Sequence, residues 1–226
     1  MSPYLPVNPK RGQTTDAVTA ALREAILDGA LPPSTWLRED EVSLAFGISR
    51  TPAREALRRL ADEGLANKTA NQGTVVAPLS LEDILALYVV REELEGLAAR
   101  LASARRPPDI LPELEDCHAR MASAVDDLPR LVELNLVFHR LMRQAAGNPY
   151  LDRFLTQVEH AVRRLPATTF AHPGRSADAL VEHSAILDSI RSGDGEAAEA
   201  AARAHMRQAR EIRLAMLLGN WSPARH

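Results

Sequence analysis

Gly47-Ile48-Ser49-Arg50-Thr51-Pro52-Ala53-Arg54-Glu55-Ala56-Leu57-Arg58-Arg59-Leu60 is the stretch on which the reading of this chain turns. Gly47 permits a tight turn, and Ser49 followed by Pro52 predicts a helix start, with a capping hydroxyl and a proline suited to the first helical turn. Ala53, Ala56, Leu57 and Leu60 form an apolar stripe. On the other side Arg54 and Arg58 project together at a spacing of four, and Arg50 stands just before the helix, so the exposed face is cationic at its N-terminal end. Such a face fits a major groove. Taken alone, the arginines read equally well as a solvated helix surface.

The flanks decide between these readings. Upstream, Glu39 to Phe46 predicts a short helix with Val42 and Phe46 inward, so the segment as a whole is helix, turn, helix. Before it, Thr15 to Asp28 predicts a first helix through Val18, Leu22, Ala25 and Ile26, ended by Gly29 and followed by a Pro32-Pro33 turn. Downstream, Gly64 closes the second helix of the motif. Leu65 to Lys68 and Thr74 to Ala77, joined through Asn71-Gln72-Gly73, then read as a two-stranded hairpin, a wing. Turn, proline start and wing together favour the groove-binding reading.

From Ser80 the strand signals stop and helical periods take over, at roughly 81–104, 110–125, 128–146, 148–165, 176–191 and 194–218. Arg105-Arg106-Pro107-Pro108, Leu128-Pro129, Gly147-Asn148-Pro149, Ala171-His172-Pro173-Gly174 and Ser192-Gly193-Asp194 supply the breaks. The expected fold is mainly α: a tail over 1–13, a winged helix-turn-helix over 14–78, and an all-α bundle of about six helices over 79–220. Composition agrees, since 226 residues with 46% apolar and 4% aromatic side chains suit helices packed through aliphatic groups.

Residues 1–13 carry Pro3, Pro6 and Pro9 but no apolar run, so neither a signal peptide nor a membrane span is expected and the setting reads as cytoplasmic. One cysteine, Cys117, allows no intrachain disulfide and no cysteine-rich zinc site; it reads as a packing residue. Net charge is −3, and residues 1–76 balance nine basic against nine acidic side chains, so bulk charge gives no argument for nucleic acid. Only the local arginine cluster does.

In the second half, polar residues sit on apolar helix faces, where burial without partners is costly. Asn135 and His139 lie one turn apart near Leu131, Leu134, Phe138 and Met142. His183 falls in the stripe Leu180, Leu187, Ile190, and His205 in the stripe Ala198, Ala201, Ile212. Singly, each histidine reads as a hydrogen-bonded core residue. Three from separate helices instead suggest imidazoles converging on a divalent metal inside a bundle. Arg91, on the inner stripe of the 81–104 helix with Ile84, Leu87, Tyr88 and Ala98, either pairs with Glu95 one turn later or forks onto a carboxylate of a bound effector. His118, His160, His172 and His226 show no such convergence and read as surface or loop residues.

The N-terminal residues resemble the GntR family of bacterial regulators, through Ile26-Leu27-Asp28-Gly29-Ala30-Leu31, the Gly47 to Leu57 segment, and Glu63-Gly64-Leu65. The remainder resembles the FCD ligand-binding domain of the FadR-like subfamily, through Phe138-His139, Ala146-Gly147-Asn148-Pro149, Glu182-His183 and His205. Six helices are more similar to the VanR-type branch than to the seven-helix FadR type. The resemblance implies DNA contacts from Arg50, Thr51, Arg54 and Gly73, with Arg58 on the same cationic face, and Arg50 and Arg54 as readers of guanine edges. Some relatives add an arginine early in the second helix; here that position is Asp40. In the FCD family an Asp and three His hold a metal. This implies His139, His183 and His205 here, with Asn135 in the place of the Asp, and zinc or nickel as ions that suit imidazole. An amide oxygen is a neutral and weaker ligand than a carboxylate. The resemblance also favours the effector role for Arg91, with Glu95 and Asn135 beside it, and a small organic acid as effector: a sugar acid, a dicarboxylate or an aromatic acid.

The expected function is therefore a ligand-responsive transcriptional regulator, a repressor that binds a palindromic operator as a homodimer. The rival from another class is a metal-dependent hydrolase or lyase using the three histidines. It is disfavoured because no carboxylate is clearly placed beside them as a general base. A purely architectural DNA-binding protein is disfavoured by the same buried polar set.

Overall fold

The structure is a computed structural model, which describes residues 15–69, 73–165 and 167–219. The expected tail, the wing-tip residues Asn71 and Gln72, and the end of the second predicted domain at 220 lie outside the described residues. The chain divides into two units: residues up to Ser80 together with Glu159–Leu165, and Leu81–Val158 together with the remainder after Leu165.

The first unit starts from apolar spacing. In α1 (Thr15–Leu27), Val18, Leu22 and Ile26 are buried, and they pack with Leu37, Val42, Phe46, Ala53, Ala56, Leu57, Leu60, Leu65 and Val76 in one core. Each fully buried aliphatic side chain of leucine size contributes roughly 1.5–3 kcal/mol. α2 (Glu39–Phe46) and α3 (Arg50–Asp62) meet at Gly47, whose left-handed backbone (φ 63°) closes the turn with bonds from cap N–H groups to Leu44 and Ser43. Ser49 occupies the N-cap with extended backbone, but its side chain makes no capping bond, so the predicted hydroxyl cap is a cap in position only. Arg23 of α1 forks onto Glu63 at 2.7 and 2.6 Å, tying the end of α3 to the first helix.

The hairpin is β2 (Ala66–Thr69) and β3 (Gly73–Val76), antiparallel with Asn67 opposite Val75. A third strand, β1 (Trp36–Leu37), pairs with the free edge of β3, giving the order β1-β3-β2. Two residues are too short a run for sequence alternation to mark, so this strand had no signal.

The second unit holds α4 (Leu81–Arg105), α5 (Ile110–Ser123), α6 (Leu128–Ala146), α7 (Pro149–Arg163, as far as Val158), α8 (Arg175–Ser192) and α9 (Gly195–Leu217), with a short 3-10 turn at Thr169–Ala171. Helix starts are secured where the sequence placed turns: Asp127 accepts from the Arg130 N–H at 3.1 Å and Asp194 from the Ala197 N–H at 2.9 Å. Phe138, Leu131, Leu134 and Met142 of α6 fill the centre with Ala98 and Ala102 of α4, Leu114 and Met121 of α5, and Ile186 and Ile190 of α8. Cys117 is buried and packs there, its thiol 3.4 Å from the Leu134 carbonyl. α4 departs from simple amphipathicity, for Val89 and Val90 on its outer side are about half exposed. Among the described residues no helix is long and apolar enough to cross a membrane.

Candidate functional site

Two constellations stand out, one in each unit. In the first, the stripe Ala53, Ala56, Leu57 and Leu60 is buried, and this fixes which side of α3 faces out. Arg50, Thr51, Arg54 and Arg58 are exposed on that side. Thr51, Arg54 and Arg58 line one shallow depression with Thr15, Pro52, Glu55 and Lys68, so the wing strand contributes a lysine that the sequence reading passed over. Gly73, at the start of β3, adopts φ 112°, a conformation that side chains strain to reach.

The arginines are not loose. Arg54 forks onto Glu39, Nε to Oε1 at 2.9 Å and Nη2 to Oε2 at 2.9 Å. Arg58 bonds Glu55 through Nε and Nη2 at 2.9 and 2.7 Å and Asp62 through Nη1 at 3.1 Å. Arg59 pairs with Asp16 and with Glu55. Hydrogen bonds from Arg58 and Arg59 pull the Glu55 carboxyl down to about 2. Asp40, standing where some relatives carry an arginine, is exposed in the acidic first turn of α2.

In the second unit, the apolar stripes of α6, α8 and α9 turn His139, His183 and His205 inward, and all three are buried. One ring nitrogen from each lies within 4.8 Å of the others, and the Nε2 atoms of His183 and His205 are 3.1 Å apart. Ring stacking holds them: His183 lies on Phe138 with centroids 4.4 Å apart, and His139 is parallel to His205 at 5.4 Å. Burial holds His183 and His205 well below the usual histidine pKa, reinforced by the neighbouring imidazole charges, so both rings are neutral.

Carboxylates orient two of the rings from outside. Glu95 Oε2 lies 3.2 Å from Nδ1 of His139, and Glu182 Oε2 lies 2.5 Å from Nδ1 of His205. A carboxylate only accepts, so each contact calls for a proton on Nδ1, and at His205 the same nitrogen also faces the donor Nη2 of Arg175 at 3.2 Å. Burial pushes the Glu95 carboxyl up, but the His139 charge and hydrogen bond, with Arg91 and Arg143, bring it down to about 2. The expectation that no carboxylate stands beside the histidines is therefore corrected. Both glutamates are there, on the outer nitrogens, where they orient rings instead of facing the space between them.

Sequence reasoning missed Arg175. It is 2% exposed at the start of α8, bonds Glu182 at 2.6 Å through Nη1, and brings Nη2 within 3.2 Å of His205 Nδ1. Its place next to Pro173-Gly174 gave it the look of a loop residue. Arg91 sits at 3.5 Å from Glu95, which makes the ion pair the arrangement present. Asn135 keeps its side-chain oxygen buried with no hydrogen-bond partner among the described residues, as do His139 Nε2 and His183 Nδ1. His118, expected at the surface, is instead half-buried on α5 and bonded to the Leu180 carbonyl at 3.1 Å.

These donors fit a divalent ion. Zn–N bonds are about 2.0–2.1 Å long, which puts nitrogens on one ion roughly 3 Å apart, as His183 and His205 already are. Inward imidazoles, carboxylates on the Nδ1 atoms of His139 and His205, and an unpartnered amide oxygen are groups such a site uses.

Two family models match separate stretches of the chain. The family model "Bacterial regulatory proteins, gntR family" matches residues 14–76, and that of the FCD domain matches residues 86–208. The HTH-type transcriptional repressor RspR of Escherichia coli K12 is 27% identical over 93% of this chain and 90% of its own. A probable D-xylose utilization operon transcriptional repressor of Paenarthrobacter nicotinovorans is 31% identical over 85% of this chain and 87% of its own. The solved structure of E. coli McbR/YncC superposes with a TM-score of 0.72 at 21% identity, covering 92% of this chain and 98% of that one, a likeness of fold. The chain thus belongs to the gntR family of bacterial regulatory proteins and carries an FCD domain in its second unit.

Proposed function

We propose that the protein is a cytoplasmic transcriptional repressor whose grip on a palindromic operator is set by a small organic acid bound in the FCD domain. The observation that carries this reading is the three-histidine cluster, enclosed in a largely apolar bundle core, in a chain whose other unit is a winged helix-turn-helix. A purely structural bundle gains little from burying three imidazoles and the guanidinium of Arg175. A sensing site does. His139, His183 and His205, with the Asn135 oxygen, would hold a divalent ion such as zinc or nickel, which when bound supplies a Lewis-acid partner for a carboxylate. Glu95 and Glu182 would hold His139 and His205 with Nε2 inward, and Arg91 and Arg175 place two guanidinium groups around the cluster, suited to an acid's oxygens. The fixed negative charge of the two glutamates offsets the one that Asn135 lacks.

On DNA, Arg50, Thr51 and Arg54 would enter the major groove, with Arg58, Lys68 and Gly73 along the backbone. A two-fold operator calls for two copies of the chain, and the second unit offers a surface for pairing. Leu87, Val90, Leu94 and Leu97 recur at spacings of three and four on α4, and the first three line an apolar groove with Phe154 and Val158 of α7. Six α-helices among the described residues of this unit support the VanR-type branch. The curated relatives RspR and the D-xylose operon protein carry the names of transcriptional repressors, and both glutamates sit on outer nitrogens of the histidines, so the hydrolase or lyase reading gains no support.

The effector acts by preferring the form that does not bind DNA. The test is fluorescence anisotropy of the operator duplex with zinc- or nickel-loaded protein, titrated with sugar acids, dicarboxylates and aromatic acids. One acid class is expected to release the DNA, and His205→Ala to abolish that release while leaving DNA binding in its absence. Release that is indifferent to His205, or no release by any acid in either metal form, would contradict this role for the site.

A further inference from the structure

We propose that Glu39 is a positioning residue for base recognition, holding Arg54 by one edge of its guanidinium so that the other edge is presented ready to read a guanine. The inference rests on α3 being the DNA-reading helix. A guanidinium has two forked edges, one made by Nε and Nη2 and one by Nη1 and Nη2, each able to make a bidentate bond. In Arg54 the first edge is taken: Nε lies 2.9 and 3.1 Å from the two Glu39 oxygens and Nη2 lies 2.9 Å from Oε2. Among the described residues nothing accepts from Nη1, and the side chain is 64% exposed. The Nη1–Nη2 fork is thus open, and its paired donors can meet guanine O6 and N7 together.

The neighbouring arginines make the contrast. Arg58 spends Nε and Nη2 on Glu55 and Nη1 on Asp62, so neither fork is left whole. Arg59 spends Nη1 on Asp16 and Nε on Glu55. Of these three side chains on α3, Arg54 alone is clamped at one edge and open at the other. Its clamp comes from α2, across the Gly47 turn, so the guanidinium is referenced to the helix-turn-helix as a unit and not to its own helix.

Two effects follow from one carboxylate. Orientation is secured before DNA arrives, so less side-chain freedom is lost when the guanine contact forms. The same negative charge, next to the DNA-facing surface, opposes phosphate contacts on any sequence. The first effect raises the ratio of specific to non-specific binding, and the second lowers both affinities alike and leaves that ratio unchanged.

The test uses the full chain and a duplex selected from random-sequence DNA by the wild-type protein, alongside the same duplex with its selected guanines replaced. Glu39→Ala is expected to lower the affinity ratio between these duplexes about tenfold, within the range of roughly 5- to 150-fold carried by a bidentate base contact. Glu39→Gln, which keeps one acceptor oxygen but loses the charge, is expected to fall between. In an Arg54→Ala background, Glu39→Ala is expected to leave the ratio unchanged. The pair is exposed, so thermal melting of both Glu39 variants should match wild type. If Arg54→Ala collapses the ratio and neither Glu39 variant moves it, the positioning role is overturned while the DNA face stands. An equal drop from Glu39→Ala in the Arg54→Ala background would also overturn it. If Arg54→Ala itself leaves the ratio intact, the DNA-reading assignment of α3 falls, and this role with it.

Discussion

Arg54→Ala lowers affinity for the operator by at least about 30-fold and leaves affinity for unrelated DNA within a few-fold of wild type. A bidentate arginine–guanine contact carries roughly 1–3 kcal/mol of discrimination, and a two-fold dimer loses it twice, so about 2–6 kcal/mol is at stake. The loss is one of recognition and not of fold, because Arg54 is exposed and the core beneath α3 is built by Ala53, Ala56, Leu57 and Leu60. Arg58→Ala is the internal control. Its guanidinium is bound at both ends by Glu55 and Asp62, so its removal costs a smaller, sequence-independent amount. Titration of wild type and both variants against operator and scrambled duplexes at one fixed salt concentration reads all of this.

The second large effect is metal loading. Protein stripped with a chelator and reloaded with zinc or nickel at about a thousand times the dissociation constant gains about 4 kcal/mol, because the ion binds the folded site and not the unfolded chain. For a protein of this size each kcal/mol moves the melting point by roughly 2–4 °C, so a rise of about 8–16 °C is expected in the second unit's transition. His183→Ala and His205→Ala abolish the rise, whatever they do to the stripped protein. Asn135→Asp enlarges it, since it turns an unpartnered buried amide oxygen into a charged ligand. Calorimetric scans of stripped and reloaded forms check each statement. A rise that survives loss of His183 or His205 would place the ion elsewhere.

Local signals explain what was legible in the sequence. Helix breaks at Pro107-Pro108, Gly147 and Gly193 stood out because a proline past the first turn and a left-handed glycine both stop a helix by local geometry alone. The inward turn of His139, His183 and His205 followed from their places in aliphatic stripes, which period 3.6 makes readable. Pairings across the fold did not follow. Glu182 reaches His205 over 23 positions and Arg175 reaches it over 30, and no local period encodes such distances. Glu39 and Arg54, 15 positions apart, meet only because Gly47 folds α2 back on α3. The apolar outer side of α4 also escaped notice, since Leu87, Val90, Leu94 and Leu97 share their helix with a second, inward stripe through Ile84, Tyr88 and Ala98 that the spacing reveals first.

Selection from random-sequence duplex DNA asks the protein for its operator without assuming one. The protein is expected to enrich an inverted repeat containing guanines in each half, with half-sites about one helical turn apart or a near variant of that spacing, and Arg54→Ala to lose that enrichment. A pool that gains no common sequence, or one that Arg54→Ala enriches equally well, would contradict the reading of an operator through Arg54.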